Sequence, residues 1–250
     1  MRYDIVRQKR RYEMLDKNSR KEVLDLIDFF SRYQLRNDGI VYKQYVYYDT
    51  ENLDLYKSGI ALFRTIINGK HTLTMTLERL YNEGLQPYSN KHNEIPLEPK
   101  DSIFSYPEFL RNSFKNMWDG FLNIDPDYLL KKLTKTYTID TISHEYKLSN
   151  GTGLKSTLSF DYDKYLDHRT NRKAKSEFLT VYQHSREDTN EEYENLISKI
   201  ARYCKTLTYI NKTKVDLARA KTKILTKEEV KKKEKIDKKN DKKNKSNLDN

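Results

Sequence analysis

The chain has 250 residues, 36% hydrophobic and 34% charged, with a formal net charge of +11. That suits one domain with a lean core, or one domain plus a tail, and favours anionic partners over basic ones. A single cysteine, Cys204, excludes an intrachain disulfide and a cysteine-based metal cluster, and no apolar run approaches the ~18 residues of a membrane span, so a reducing, cytoplasmic setting is the expectation.

In chain order, Ile5 to Leu15 reads as a basic strand. Ser19 and Glu22 have capping-box spacing, and Val23, Ile27 and Phe30 recur at helical spacing, so Asn18 to Tyr33 is predicted as an amphipathic helix. Gly39 reads as a break before a Tyr/Val-rich strand from Val41 to Tyr48. Ile60 to Ile67 and Lys70 to Glu78 flank Asn68-Gly69, the preferred pair for a type I′ hairpin, because both central residues need positive φ. Lys91 to Leu97 is a further strand. Pro99 to Leu133 reads as two or three short helices broken at Pro107 and Pro126, with Trp118 and its neighbours packed outside the sheet. Thr134 to Leu148 and Leu154 to Tyr162 flank Asn150-Gly-Thr-Gly153 as a second hairpin, and Glu177 to His184 follows as a strand. Asp188 to Leu207 has the apolar stripe Tyr193, Ile197, Ile200 and Cys204 of a helix, and Tyr209 to Leu217 reads as a last strand.

From about Lys221 the chain is almost devoid of apolar residues. Lys227 to Asn250 holds ten Lys against six acids, which leaves +7 of the +11 on the rest of the chain. The pattern predicts an α+β protein, an antiparallel sheet with flanking helices over 1–220, with 98–133 as a helical insertion and 221–250 as a disordered Lys-rich tail.

One stretch carries a family resemblance. Tyr48-Asp49-Thr50, a polar turn, then Lys57, Gly59 to Leu62 and Arg64 resembles the CYTH and VTC domains, the triphosphate tunnel metalloenzymes. The resemblance spans residues 5 to 217 and is carried chiefly by Tyr47 to Ala61. It implies an antiparallel β tunnel or barrel of about eight strands, in which inward Arg and Lys bind a triphosphate or polyphosphate. Inward carboxylates there hold Mg²⁺ or Mn²⁺ for phosphoanhydride chemistry, as a hydrolase or a polyphosphate polymerase. Residue by residue, Arg11-x-Glu13 matches the opening strand, His92-x-Glu94 a later one, and Thr157 to Asp161 the strand ending in Leu-Asp. Glu13, Glu94 and Asp161 are thereby implied as catalytic metal ligands. Arg11, Arg64, Lys135 (with Lys132 as the other candidate) and Lys212 are implied as phosphate ligands.

The sequence departs from the family at Leu15, Phe63, Thr65, Thr180 and Tyr182, where charged groups are expected, and at Glu78, where a Lys is expected. A two-residue turn at Asn68-Gly69 also places Ala61, Phe63 and Thr65 on the face of Thr72, Thr74 and Thr76. Arg64 then falls on the other face with Leu62, Leu73 and Met75, unless a bulge intervenes. Asp161 and Asp163 alternate onto one face, suiting either a cation or a wet strand end. Two other readings follow: a degenerate tunnel that binds a polyanion or a protein without turnover, and nucleic-acid binding through Tyr faces and the basic tail.

Overall fold

The computed structural model describes residues 8–30, 32–77, 92–117, 125–184 and 190–223. Glu78, Trp118 and most of the Lys-rich tail lie outside the described residues. In chain order the strands are β1 (Gln8–Met14), β2 (Tyr33–Asp49), β3 (Ile60–Ile67), β4 (Lys70–Leu77), β5 (His92–Leu97), β6 (Thr134–Asn150), β7 (Lys155–Asp167), β8 (Arg172–Gln183) and β9 (Leu207–Tyr209). The helices are α1 (Ser19–Phe29), α2 (Asp54–Lys57), α3 (Pro107–Met117), α4 (Pro126–Lys132), α5 (Asn190–Tyr203) and α6 (Lys214–Thr222), with a 3-10 turn at Ile103–Ser105. The strands form one sheet, every paired neighbour antiparallel, in the order β5-β4-β3-β2-β6-β7-β8-β1-β9. The described strands leave β5 and β9 as edges, so the tunnel is not closed by a hydrogen-bonded ladder.

Turn chemistry fixes the register at one end. Asn68 and Gly69 take φ of 49° and 76°, as a type I′ turn requires. Ala61 then lies opposite Thr76, Phe63 opposite Thr74 and Thr65 opposite Thr72. No bulge interrupts this pair, and Arg64 stays on the face of Leu62, Leu73 and Met75.

Alternation sorts the residues into two outer cores and one inner core. On one part of the outer face, Val23 and Ile27 of α1 and Tyr193, Leu196 and Ile200 of α5 pack on Tyr12, Leu158, Phe160, Leu179 and Val181. On another, Leu110 and Phe114 of α3 and Leu129 of α4 pack on Val46, Leu62, Leu73 and Met75. On the inner face, Val215, Leu217 and Ala218 of α6 meet Tyr47, Tyr137, Ile139, Tyr165 and Phe178.

Three local expectations are corrected. Gly39 does not break the chain: at φ 102° it sits in a β-bulge, and β2 runs on as one long partner of β6. The Ser19–Glu22 capping box does not form. Ser19 lies inside α1, and the Glu22 carboxylate instead accepts from the backbone N–H groups of Lys205 (3.1 Å) and Thr206 (3.4 Å), tying α1 to the chain after α5. Tyr209 to Leu217 is not a strand. β9 stops at Tyr209, and a capping box between Thr213 and Asp216 starts α6 at Lys214.

The Tyr-Asp-Thr stretch has a structural reason. At the end of β2 the buried Asp49 carboxylate accepts from the backbone N–H groups of Thr50 (2.7 Å), Leu55 (2.9 Å) and Tyr56 (2.9 Å). It folds the chain through α2 and back into β3. Removing it strands buried donors at a cost of about 1–3 kcal/mol each when water cannot reach them. Asp49→Ala is therefore expected to lower the urea midpoint by an amount equivalent to about 2–4 kcal/mol, with the far-UV spectrum of the folded state unchanged.

Candidate functional site

The inner face of β7 carries two carboxylates two residues apart, and both are out of water: Asp161 is 3% exposed and Asp163 is fully buried. Each is met by donors that the ladder brings opposite it. Asp161 Oδ1 accepts from Ser143 Oγ of β6 and from Ser159 Oγ of its own strand, both at 2.6 Å. Its Oδ2 accepts from Thr180 Oγ1 of β8 at 3.0 Å. Asp163 Oδ1 accepts from Thr141 Oγ1 (2.5 Å), and its Oδ2 from Tyr165 OH (3.2 Å). Lys214 Nζ, at the first turn of α6, donates to both oxygens at 3.0 and 3.1 Å and lies 4.8 Å from the Tyr45 ring centre.

Two more cations share the chamber. Lys43 Nζ on β2 donates to Glu145 Oε1 of β6 at 2.6 Å. Arg11 on β1 is 8% exposed and lies opposite Thr180. Its one side-chain hydrogen bond among the described residues is a long one, Nε to Thr180 Oγ1 at 3.4 Å, with the Phe178 ring 5.7 Å from Cζ. Most N–H donors of this buried guanidinium thus have no protein partner among the described residues.

The fields of these groups reach one another. Burial alone would raise the Asp161 carboxyl, but Lys214 and Lys43, helped by Ser143 and Ser159, hold it below the usual carboxylate range. Burial would lower Arg11, and Tyr182, Asp163 and Asp161 more than compensate. Burial lowers Lys43, and Asp161, Tyr45 and Glu145 outweigh it upward. Lys214 ends below its ordinary value, because burial and then Arg11 oppose the support of Asp163 and Asp161. Burial, with Tyr182 nearby, pushes the Tyr45 phenol upward, so it stays protonated. Arg11, Lys43 and Lys214 thus face Asp161, Asp163 and Glu145, three cations against three carboxylates.

Of the residues singled out in the sequence, Arg11 and Asp161 come together, bridged by Thr180. Glu13 sits further along β1 and pairs with Lys221 of α6. Glu94 lies on edge strand β5, exposed, and accepts from Thr74 Oγ1 at 3.3 Å. Among the described residues no three His, Cys, Asp or Glu side chains come close enough to hold a metal ion, so Glu13, Glu94 and Asp161 are not gathered as a triad. Arg64 is on the outer face, where Nη1 donates to Asp101 O (2.7 Å), Nη2 to Pro99 O (3.0 Å) and Nε to His71 Nδ1 (3.2 Å). It ties down the chain after β5 and does not enter the chamber. Lys135 and Lys132 are exposed, Lys135 opposite Tyr48 beyond a bulge at Thr136 of β6. Lys212 is exposed too, and the lysine that reaches the chamber is Lys214, two residues on. Lys43, Glu145 and the hydroxyls of Thr141, Ser143 and Ser159 escaped the sequence reading. The signal for Glu145 and the hydroxyls is the run of polar residues at every second position of β6 and β7.

Since the folded Asp161 carboxyl is depressed, its contribution to stability is fully present above about pH 4 and is lost as pH falls through the folded value. Urea titrations between about pH 3 and 6 should show wild type losing stability toward acid more steeply than Asp161→Asn.

No family model matches the sequence, and no curated protein matches it significantly. Solved structures do match. A candidate adenylate cyclase from Bacillus halodurans is 13% identical with a TM-score of 0.51, the match covering 85% of this chain and 97% of that one. A candidate adenylyl cyclase from Hippeastrum, described as having a dominant triphosphatase activity, is 12% identical with a TM-score of 0.52, over 87% and 96% of the two chains. The chain therefore shares the fold of these two proteins, in keeping with the architecture that the Tyr47 to Ala61 stretch implies.

Proposed function

We propose that the chain binds the phosphate end of a triphosphate inside the sheet and hydrolyses its terminal phosphoanhydride. The observation that carries this reading is Arg11, a buried guanidinium with one long side-chain hydrogen bond among the described residues, set in the same group of charges as Lys214 and Lys43. A buried cation without a matching acceptor is costly, and an arriving phosphate supplies two oxygens that a planar guanidinium can engage together. Catalysis of phosphoryl transfer is largely positioning and charge stabilisation, which donors already fixed in place provide without reorganising. Arg11 would grip the equatorial oxygens. Lys43 and Lys214 would add field while still held by Glu145 and Asp163. The triphosphatase activity described for the Hippeastrum protein of the same fold supports the choice of substrate.

The resemblance also implies Mg²⁺ or Mn²⁺. The described carboxylates do not fit such an ion: each Asp163 oxygen already accepts two donors, Asp161 accepts three, and no third ligand is near. A reducing, cytoplasmic setting goes with this reading, in which the buried Cys204 stays a thiol.

A second reading is favoured by the other wall of the chamber. Tyr47, Phe63, Thr65 and Thr74 line it, and Thr180 and Tyr182 stand where the family has charged groups. Those positions and the equal charges suit a domain that binds a triphosphate or polyphosphate without turnover.

One experiment separates the two. Phosphate release and equilibrium binding are measured with inorganic triphosphate, with EDTA and with added Mg²⁺ or Mn²⁺, for wild type, Arg11→Lys and Arg11→Ala. Loss of a charged hydrogen bond of about 1.5–3 kcal/mol predicts binding ~10–100-fold weaker in Arg11→Ala, with partial rescue by Arg11→Lys. Turnover that falls with it supports hydrolysis, and binding without turnover supports the second reading. If wild type does neither, or Arg11→Ala binds as wild type, the chamber is not a phosphate site.

A further inference from the structure

We propose that the uncovered outer face of the sheet binds single-stranded nucleic acid, a site separate from the chamber. Among the described residues, the packed outer cores of α1 and α5 on one side and α3 and α4 on the other leave the middle of β2, β6, β7 and β8 bare. Here Ile40 is 51% and Tyr42 63% exposed, on strand positions where a large apolar side chain gains nothing from water. Tyr42 lies opposite Ile142, and Ile142 opposite Tyr162, so two tyrosines stand in one row about 10 Å apart across the strands. Lys164 Nζ lies 5.6 Å from the Tyr162 ring centre.

Beside this row runs a basic one. Lys164 lies opposite Lys175, Leu166 lies opposite Lys173, and all three lysines are exposed. Lys173 and Lys175 share a face about 7 Å apart along the strand. Two acids share the surface: Asp140, which accepts from Gln44 Nε2 at 2.7 Å, and Glu177, opposite Tyr162. At the β7–β8 turn Arg172, opposite Asp167 and so on the inner face, donates from Nη1 to Lys223 O at 3.0 Å.

The charges choose the occupant. The chain's own tail carries an excess of Lys and is repelled from the lysine row. A polyanion is attracted to it. Aromatic rings beside evenly spaced cations fit a single strand, whose unpaired bases stack on the rings while its phosphates meet the cations. A duplex hides its base faces and would use the lysines alone.

The test is fluorescence anisotropy of the full chain with a labelled oligo-uridine RNA of roughly 15 nucleotides, over a salt series. Wild type is expected to bind. Lys164→Glu/Lys173→Glu/Lys175→Glu should bind at least ~30-fold more weakly, with a log–log salt slope flatter by about 2, from about 0.7 for each phosphate that the variant no longer neutralises. Tyr42→Ala should weaken binding ~5–10-fold, and Tyr42→Phe, which keeps the ring, should not. Inorganic triphosphate at fixed ionic strength should not compete. The proposal is overturned if wild type fails to bind, or if the triple variant binds as wild type, which would assign binding to the tail. It is also overturned if Tyr42→Ala is silent, which would leave charge alone, or if triphosphate competes, which would put the RNA in the chamber. Because all four substitutions lie on exposed side chains, an unchanged thermal melt is the control for folding.

Discussion

Two buried carboxylates on one strand face set the terms for the inside of this protein. Asp161 and Asp163 point the same way from β7 because the strand period is two. Burying either without donors would cost more than the marginal stability of a domain this size can absorb. The neighbouring strands therefore bring Thr141, Ser143, Ser159 and Thr180 to the same face, and α6 starts where it can deliver Lys214. Polar residues at every second position, which look like a weakness in a lean core, are the solvation shell of these two groups.

This arrangement separates holding charge from offering it. Lys214 and Lys43 are engaged by Asp163 and Glu145, and Asp161 is satisfied by hydroxyls alone. Arg11 is left with one long hydrogen bond among the described residues, although it lies in the combined field of Asp161, Asp163 and Tyr182. That field keeps a buried guanidinium charged before any ligand arrives, which is the preorganisation an anion site needs. The same balance means the chamber has little net charge. Its selectivity must then come from the geometry of the Arg11 fork more than from long-range attraction.

Much of the fold was legible because local rules and tertiary packing agree in it. Asn68-Gly69 sets the β3–β4 register, and that register correctly sends Arg64 away from the chamber. Tyr193, Ile197 and Ile200 are the buried side of α5, and Cys204 just past its end packs in the same core. Reading failed where two local options were close in energy and packing chose. Gly39 serves a bulge as well as a break, and the long β6 partner favours the bulge. Glu22 gains more from the N–H groups of Lys205 and Thr206 than from its own helix start. At Asn211-Lys212-Thr213-Lys214, matching by resemblance selects Lys212, whereas the Thr213 cap turns the chain into α6 and sends Lys214 inward. Lys43 was invisible because nothing in β2 alone reveals that Asp161 and Glu145 will face it.

The most direct test of the charge-holding account is a crystal structure of the protein soaked with inorganic triphosphate. The account expects a terminal phosphate bidentate on the Arg11 guanidinium, with Lys214 still on Asp163 and Asp161 still on Ser143, Ser159 and Thr180. A phosphate bound away from Arg11, or one that pulls Lys214 off Asp163 to reach it, would contradict it.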